Sequence, residues 1–199
     1  MATQTIKTGS AVMPYRLTVR QFVKMIQANI FPEGHRVELL GGILSTMVTY
    51  DPHDFVVTQL GVLLRPRLPA GWTLREEKSV QFGRWWRPSP DISILKSPSR
   101  AFEHRTPRPQ DIALLTEVSD TTYRKDSGIK LRRYAHVRIP HYWIVNLERR
   151  QVEVYRDPNG HHGKAYYRVL ECYRENDDLP VVIDGNDLGR IAVKEILPS

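Results

Sequence analysis

Between Ile112 and Val118 the chain reads Ile-Ala-Leu-Leu-Thr-Glu-Val, an apolar run with almost no polar interruption, and a second run, Pro140 to Asn146, reads Pro-His-Tyr-Trp-Ile-Val-Asn. A short run apolar on both alternating positions suits a central strand buried on both faces. The segment between the two runs reads as a helix that opens at Asp120-Thr121-Thr122 and ends near Val137, with Asp120 or Thr121 as the expected cap. Strand, crossover helix and strand form a βαβ unit, which is right-handed and parallel. Any fold for this chain has to be built around that pair of strands.

The rest of the pattern supplies elements to surround it. Thr18 is placed to cap a helix through Ala28, because Phe22, Val23, Ile26 and, less cleanly, Met25 recur at helical spacing. Arg36 to Leu40 and Ile43 to Val48 flank Gly41-Gly42, a two-residue link of the type that primed hairpin turns require. From Pro52 to Leu64 an amphipathic helix is expected, ended by Pro66 and Pro69. Trp72 to Phe82 alternates as a strand, Gly83 to Pro90 is a basic aromatic loop, Asp91 to Leu95 is a strand, and Lys96 to Gln110 is a loop. Gln151 to Tyr155 and Ala165 to Tyr173 make a second hairpin around Asn159-Gly160, while the weakly apolar tail, Pro180 to Leu197, has no clear pattern. The fold class is mixed α/β: a central sheet, β-hairpins at its edges and helices on its faces. The length of 199 residues fits one domain, read as residues 18–199 after an N-terminal tail, 1–17.

Composition narrows the function classes. No apolar stretch approaches the roughly 20 residues needed to span a bilayer, and Met1 to Tyr15 is short and polar without the apolar core of a secretion signal. A cytoplasmic protein with no membrane partner is expected. Cys172 is the only cysteine, which excludes a disulfide within the chain and a multi-cysteine zinc site, and it reads as a small core residue. A formal charge of +7 and a pI near 9.6 favour polyanionic partners, and by themselves support nucleic acid only weakly.

Two carboxylates stand at strand ends: Asp91 heads the run Ile92-Ser93-Ile94-Leu95 and Glu117 lies near the end of the central run. Buried carboxylates need a metal, a basic partner or a proton. A divalent metal would satisfy both, and magnesium, with its preference for oxygen ligands and retained waters, suits two or three acids with help from the Val118 carbonyl. Glu38, just before the Gly41-Gly42 turn, is the natural third acid. The competing reading is of acids that are solvated or paired with arginine. Lys130 follows Asp126 by four residues and precedes Tyr134 by four, so the three share a helix face. Lys130 is then either one half of an exposed ion pair with Asp126 or an ammonium leaning over the metal site, orienting water and stabilising charge on a phosphoryl group.

The loop Arg84-Trp85-Trp86-Arg87 interleaves cations and aromatics; Arg84, Trp86 and Arg87 can stack on bases and neutralise phosphates, or the loop can close the core as a rim. Arg124 belongs to a wider positive surround with Arg100, Arg105, Arg108, Lys125, Arg132 and Arg133. The histidines are scattered, and His161-His162 sits in a hairpin loop. His53, at the start of the second helix, is the one placed to reach a metal or phosphate.

Taken in series, Arg36-Val37-Glu38-Leu39-Leu40-Gly41-Gly42, Pro90-Asp91-Ile92-Ser93, Thr116-Glu117-Val118-Ser119, Lys130-x-x-x-Tyr134 and Tyr142-Trp143-Ile144-Val145 resemble the Uma-two family of restriction-endonuclease-like proteins over residues 18 to 156. That family looks like a branch of the PD-(D/E)xK nuclease superfamily. The resemblance implies a restriction-endonuclease-like mixed sheet and a magnesium-dependent endonuclease acting on DNA, with manganese as a substitute metal. Glu38, Asp91 and Glu117 match the metal acids. The lysine expected two residues after Glu117 is replaced by Ser119, and Lys130 is the stand-in; Asp126, Tyr134, Ser119 and His53 are accessory candidates. Further departures are Arg138 for a glycine, His141 for an acid and Asn146 for an aspartate. A homodimer is compatible with cutting both strands. The alternative is a non-catalytic nucleic-acid-binding or accessory protein that retains the fold, and a scaffold with incidental charge comes third.

Overall fold

A computed structural model of the chain describes residues 13–47, 51–161 and 163–199. Its strands are β1 (Arg36–Leu40), β2 (Ile43–Met47), β3 (Thr73–Glu76), β4 (Ile92–Leu95), β5 (Ile112–Ser119), β6 (His141–Asn146), β7 (Gln151–Asn159), β8 (Tyr166–Arg174), β9 (Asp178–Ile183) and β10 (Asn186–Ala192). The helices are α1 (Val19–Gln27), α2 (Asp51–Leu64), α3 (Tyr123–Lys125), α4 (Leu131–His136) and α5 (Val193–Ile196). Six strands form one mixed sheet in the order β3-β4-β5-β6-β7-β8, and β5 and β6 are its parallel pair. Every residue of β5 is buried, as its uninterrupted apolar run requires.

Alternation along β6 separates two cores. Trp143 and Val145 face Val56, Leu60 and Leu64 of α2, whereas Tyr142 and Ile144 face Tyr134 and Ala135 of α4. Burying each of these large apolar side chains stabilises the fold by roughly 1.5–3 kcal/mol. On the α4 side Tyr134 meets Tyr142 edge-on at 4.9 Å and Phe82 at 5.7 Å.

Thr18 caps α1 as expected, accepting from the Gln21 amide while the Gln21 side chain returns to the Thr18 amide. The β1–β2 hairpin turns on Gly41 and Gly42, both at positive φ, and a Cβ on Gly42 would lie 2.8 Å from the Arg16 Cβ. The expected end of β2, Val48, lies outside the described residues, as does His162. This hairpin is not an edge of the main sheet. It forms its own two-stranded unit and attaches through reciprocal Leu39–Arg87 backbone hydrogen bonds of 3.1 and 2.8 Å. The second expected hairpin, β7–β8, does sit at a sheet edge.

Three further expectations are corrected, and the tail finds its place. The strand expected over Trp72 to Phe82 stops at Glu76, because Glu77 takes φ +52; Val80 and Phe82 instead donate to the carbonyls of Pro88 and Trp86 in the returning loop. Neither Asp120 nor Thr121 caps the crossover helix: Thr122 is at the cap position, its hydroxyl turns inward to Asp126, and a π turn over Asp126–Lys130 separates α3 from α4. Cys172 is exposed on β8 rather than in the core. The unplaced tail forms β9, β10 and α5, which bury Leu179, Val181, Ile191 and Ile196 in the α2-side core. No helix among the described residues is long and apolar enough to cross a membrane.

Candidate active site

The antiparallel register of β4 on β5 pairs Ile92 with Thr116, so the residue before one strand meets the residue after that partner: Asp91 comes opposite Glu117 at one end of the sheet. Asp91 Oδ2 accepts the Val118 amide at 2.7 Å. The Val118 N–H thereby fixes one oxygen of the Asp91 carboxylate. Glu117 is nearly sealed, and it accepts from Lys130 Nζ at 2.8 Å and from the Tyr134 hydroxyl at 2.7 Å.

Lys130 is only 1% exposed, and its ammonium also lies 3.4 Å from Glu38 Oε2 and 3.5 Å from Asp126 Oδ1. The exposed Asp126–Lys130 pair of the simplest sequence reading is therefore a buried one. Glu38, fully buried, is further held by Lys125 Nζ at 3.2 Å and the Ser89 amide at 3.4 Å. Asp126 Oδ2 accepts from Ser119 Oγ at 2.8 Å and from the Thr122 hydroxyl. Ser119, two residues after Glu117, thus orients the acid that lies beside Lys130.

The charges answer one another. Burial pushes the Glu117 carboxyl up, with Lys130 opposing and Asp126, Asp91 and Glu38 reinforcing the shift. Burial alone would strip Lys130 of its proton, yet Glu117, Glu38 and Asp126 hold its pKa well above the usual lysine value. From the first turn of α2, His53 points Nε2 at Asp91 Oδ1, 3.2 Å away, and Nδ1 at Asp54, also 3.2 Å away. Burial works against charge on this imidazole, but Asp91 and Asp54 outweigh it and push its pKa up to about 9.

The three sequence-expected metal acids are thus divided: Glu38 and Glu117 share Lys130, while Asp91 turns to His53. Among the described residues, the set whose ligand atoms all lie within 4.8 Å of one another is His53, Glu77 and Asp91. Asp91 Oδ1 is sealed from solvent and faces His53 Nε2 across 3.2 Å. A pocket of about 30 Å³ opens among His53, Asp91, Glu117, Lys125, Asp126 and Lys130, room enough for an ion or a water. The donor set of carboxylates with one imidazole fits a divalent cation.

The proposed nucleic-acid contacts do not converge. Arg84 is exposed and lies over Trp85 at 5.0 Å, and Arg124 is exposed on the first turn after β5. Trp86 packs on Gly41 with Arg133 5.4 Å from its ring, and half-buried Arg87 donates to Thr106 Oγ1 at 2.9 Å. Sequence reasoning missed Glu77 altogether, and placed Lys125 in the positive surround without its contact to Glu38. Glu77 is indistinguishable by pattern from its neighbour Glu76. Lys125 lies five residues before Lys130, about 140° away on an α-helix, and only the π turn, with its i to i+5 repeat, lets both reach Glu38.

A family model described as "Uma2: Putative restriction endonuclease" matches residues 19–185. No curated protein matches the chain. A crystal structure from Anabaena variabilis ATCC 29413, described as "a putative nuclease belonging to DUF820", matches 90% of this chain and 97% of its own, with a TM-score of 0.63 at 17% identity. That likeness establishes a shared fold.

Proposed function

The chain belongs to the Uma2 family, and from that premise we propose that it is an endonuclease hydrolysing DNA phosphodiester bonds with a divalent cation, magnesium or manganese. The observation that carries the proposal is the buried Lys130 ammonium, 2.8 Å from Glu117 in a pocket that Asp91 also lines. It provides the cation that the sequence lacks at Ser119.

Asp91 would hold the metal, with His53 and Glu77 as the nearest co-ligands and Glu117 facing it across the pocket. When bound, such a metal polarises a phosphoryl oxygen and activates water. Glu117 keeps Lys130 charged, Tyr134 fixes the Glu117 rotamer, and Glu38 and Asp126 hold the ammonium from the far side. Lys130 then stabilises negative charge developing on the phosphate in a site with little water to screen it.

Nicking of supercoiled plasmid with magnesium or manganese tests this reading. Asp91→Asn and Glu117→Gln are expected to abolish nicking, and Lys130→Met to lower it by about 10²–10³. Activity that survives both carboxylate changes rules the assignment out.

A non-catalytic role has one observation in its favour, because an ammonium shared by three carboxylates is also what a purely structural ion cluster looks like. Thermal unfolding separates the two. A cation site stabilises the wild type by about 2.7 kcal/mol at a hundred times Kd, and Asp91→Asn removes that increment. A melting temperature indifferent to manganese favours the non-catalytic reading.

A further inference from the structure

Outside the acid cluster, a half-buried guanidinium on the sheet edge has no counter-charge. Arg75 projects from β3, the edge strand of the main sheet, and neither a carboxylate nor a hydrogen-bond acceptor meets its guanidinium among the described residues; its Nη1 is sealed from solvent with no partner. The neighbouring cation makes matters worse. Arg87, on the loop that returns to β4, is close enough for like-charge repulsion from Arg75, and its own Nε is also sealed without a partner. Two half-buried guanidiniums side by side, without an acid, are a costly arrangement that an anion relieves.

Arg75 opens onto a groove of about 920 Å³ that runs along the free edge of β3, with Trp72, Thr73, Lys78 and Ser99 in its walls. Its acids each face an arginine: Glu76 pairs with Arg65, and one oxygen of Glu77 pairs with Arg36. The unpaired charges left in the groove are Arg75 and Lys78, both positive. Glu77 has a second significance, since it also belongs to the candidate cation set with His53 and Asp91. The groove therefore begins where the proposed chemistry takes place.

We propose that this groove seats the nucleic-acid strand next to the scissile bond, with Arg75 contacting a backbone phosphate, Lys78 adding charge and Arg87 reinforcing the field from behind. Trp72, half-buried in the wall, offers a ring for a base to stack on. The inference rests on the endonuclease reading but is tested separately from it, by binding without cleavage.

The experiment measures fluorescence anisotropy of a labelled oligonucleotide, single-stranded and duplex, in EDTA over a salt series, alongside thermal melts. Arg75→Met is expected to weaken binding by about tenfold and to reduce the salt slope by about one, with Arg75→Lys recovering part of both. Because the guanidinium is buried without a partner, Arg75→Met should melt at the same temperature as the wild type or higher, which a structural role would not allow. A lower melting temperature with unchanged DNA affinity overturns the proposal. So does an extended peptide that binds through Arg75 when no oligonucleotide does, since the free strand edge would then be the functional feature. Arg75-dependent DNA binding by a protein that never nicks plasmid would leave the groove standing and refute the nuclease reading.

Discussion

Lys130 sets the electrostatics of the site, being a single ammonium within 3.5 Å of three buried carboxylates. Removing one partner of a buried ion cluster leaves the others uncompensated, a loss of about 3–5 kcal/mol. Lys130→Met should therefore unfold at distinctly lower urea, and Lys130→Met with Glu117→Gln should be destabilised by less than the sum of the single changes, a coupling of about 1–3 kcal/mol. Additive behaviour would mean that Glu117 already carries a proton in the folded protein. At this scale the sequence was readable where a residue's position along a strand decided its fate: Asp91 and Glu117 meet because the register of β4 on β5 brings strand ends together. Glu77 was not readable. Its part in the cation set depends on a positive φ that turns it off the line of β3, and nothing in Arg75-Glu76-Glu77-Lys78 singles it out.

The crossover helix shows what periodicity can and cannot reveal about an element. Its opening at Asp120-Thr121-Thr122 between two apolar runs foretold a helix between β5 and β6, and the parallel pairing followed from it. A five-residue π turn leaves almost no trace in a short sequence, yet it stacks Lys125 over Lys130 so that both bind Glu38. Deleting Gly128 should restore an α-helical repeat, separate the two lysines and cut plasmid nicking without unfolding the sheet, with circular dichroism as the control. Gly128→Ala is the converse test. A Cβ at this position meets nothing within 4 Å and the backbone is helical, so the substitution should raise stability by about 0.5–1 kcal/mol in urea unfolding. Loss of stability would show that the turn needs glycine.

Across the whole molecule, the two faces of the sheet are secured in different ways. The α4 face closes over the acid cluster with aromatic side chains from consecutive elements, a pattern legible because those elements are strongly periodic. On the other face α2 covers only part of the sheet, and the chain's last tenth comes back as β9, β10 and α5 to complete the core. Its pattern is weak because a two-stranded hairpin with one face on the core shows only short, interrupted alternation, broken further by the bulge between Asp187 and Arg190. Two contacts tie this hairpin to the main sheet: the Asp184 amide donates to His141 Nε2 at 3.1 Å, and Lys96 lies 3.6 Å from Asp184. His141 is therefore an acceptor for the tail. Leu179 is fully buried where β9 meets α2 and the sheet, on the face opposite the Lys130 cluster. Leu179→Ala should lower unfolding free energy by about 2–5 kcal/mol through lost transfer energy and a residual cavity. Because that cavity is on the far side of the sheet from Glu117 and Lys130, manganese should raise the melting temperature of Leu179→Ala by the same increment as in the wild type. A smaller increment would mean that the tail's packing sets the geometry at Asp91.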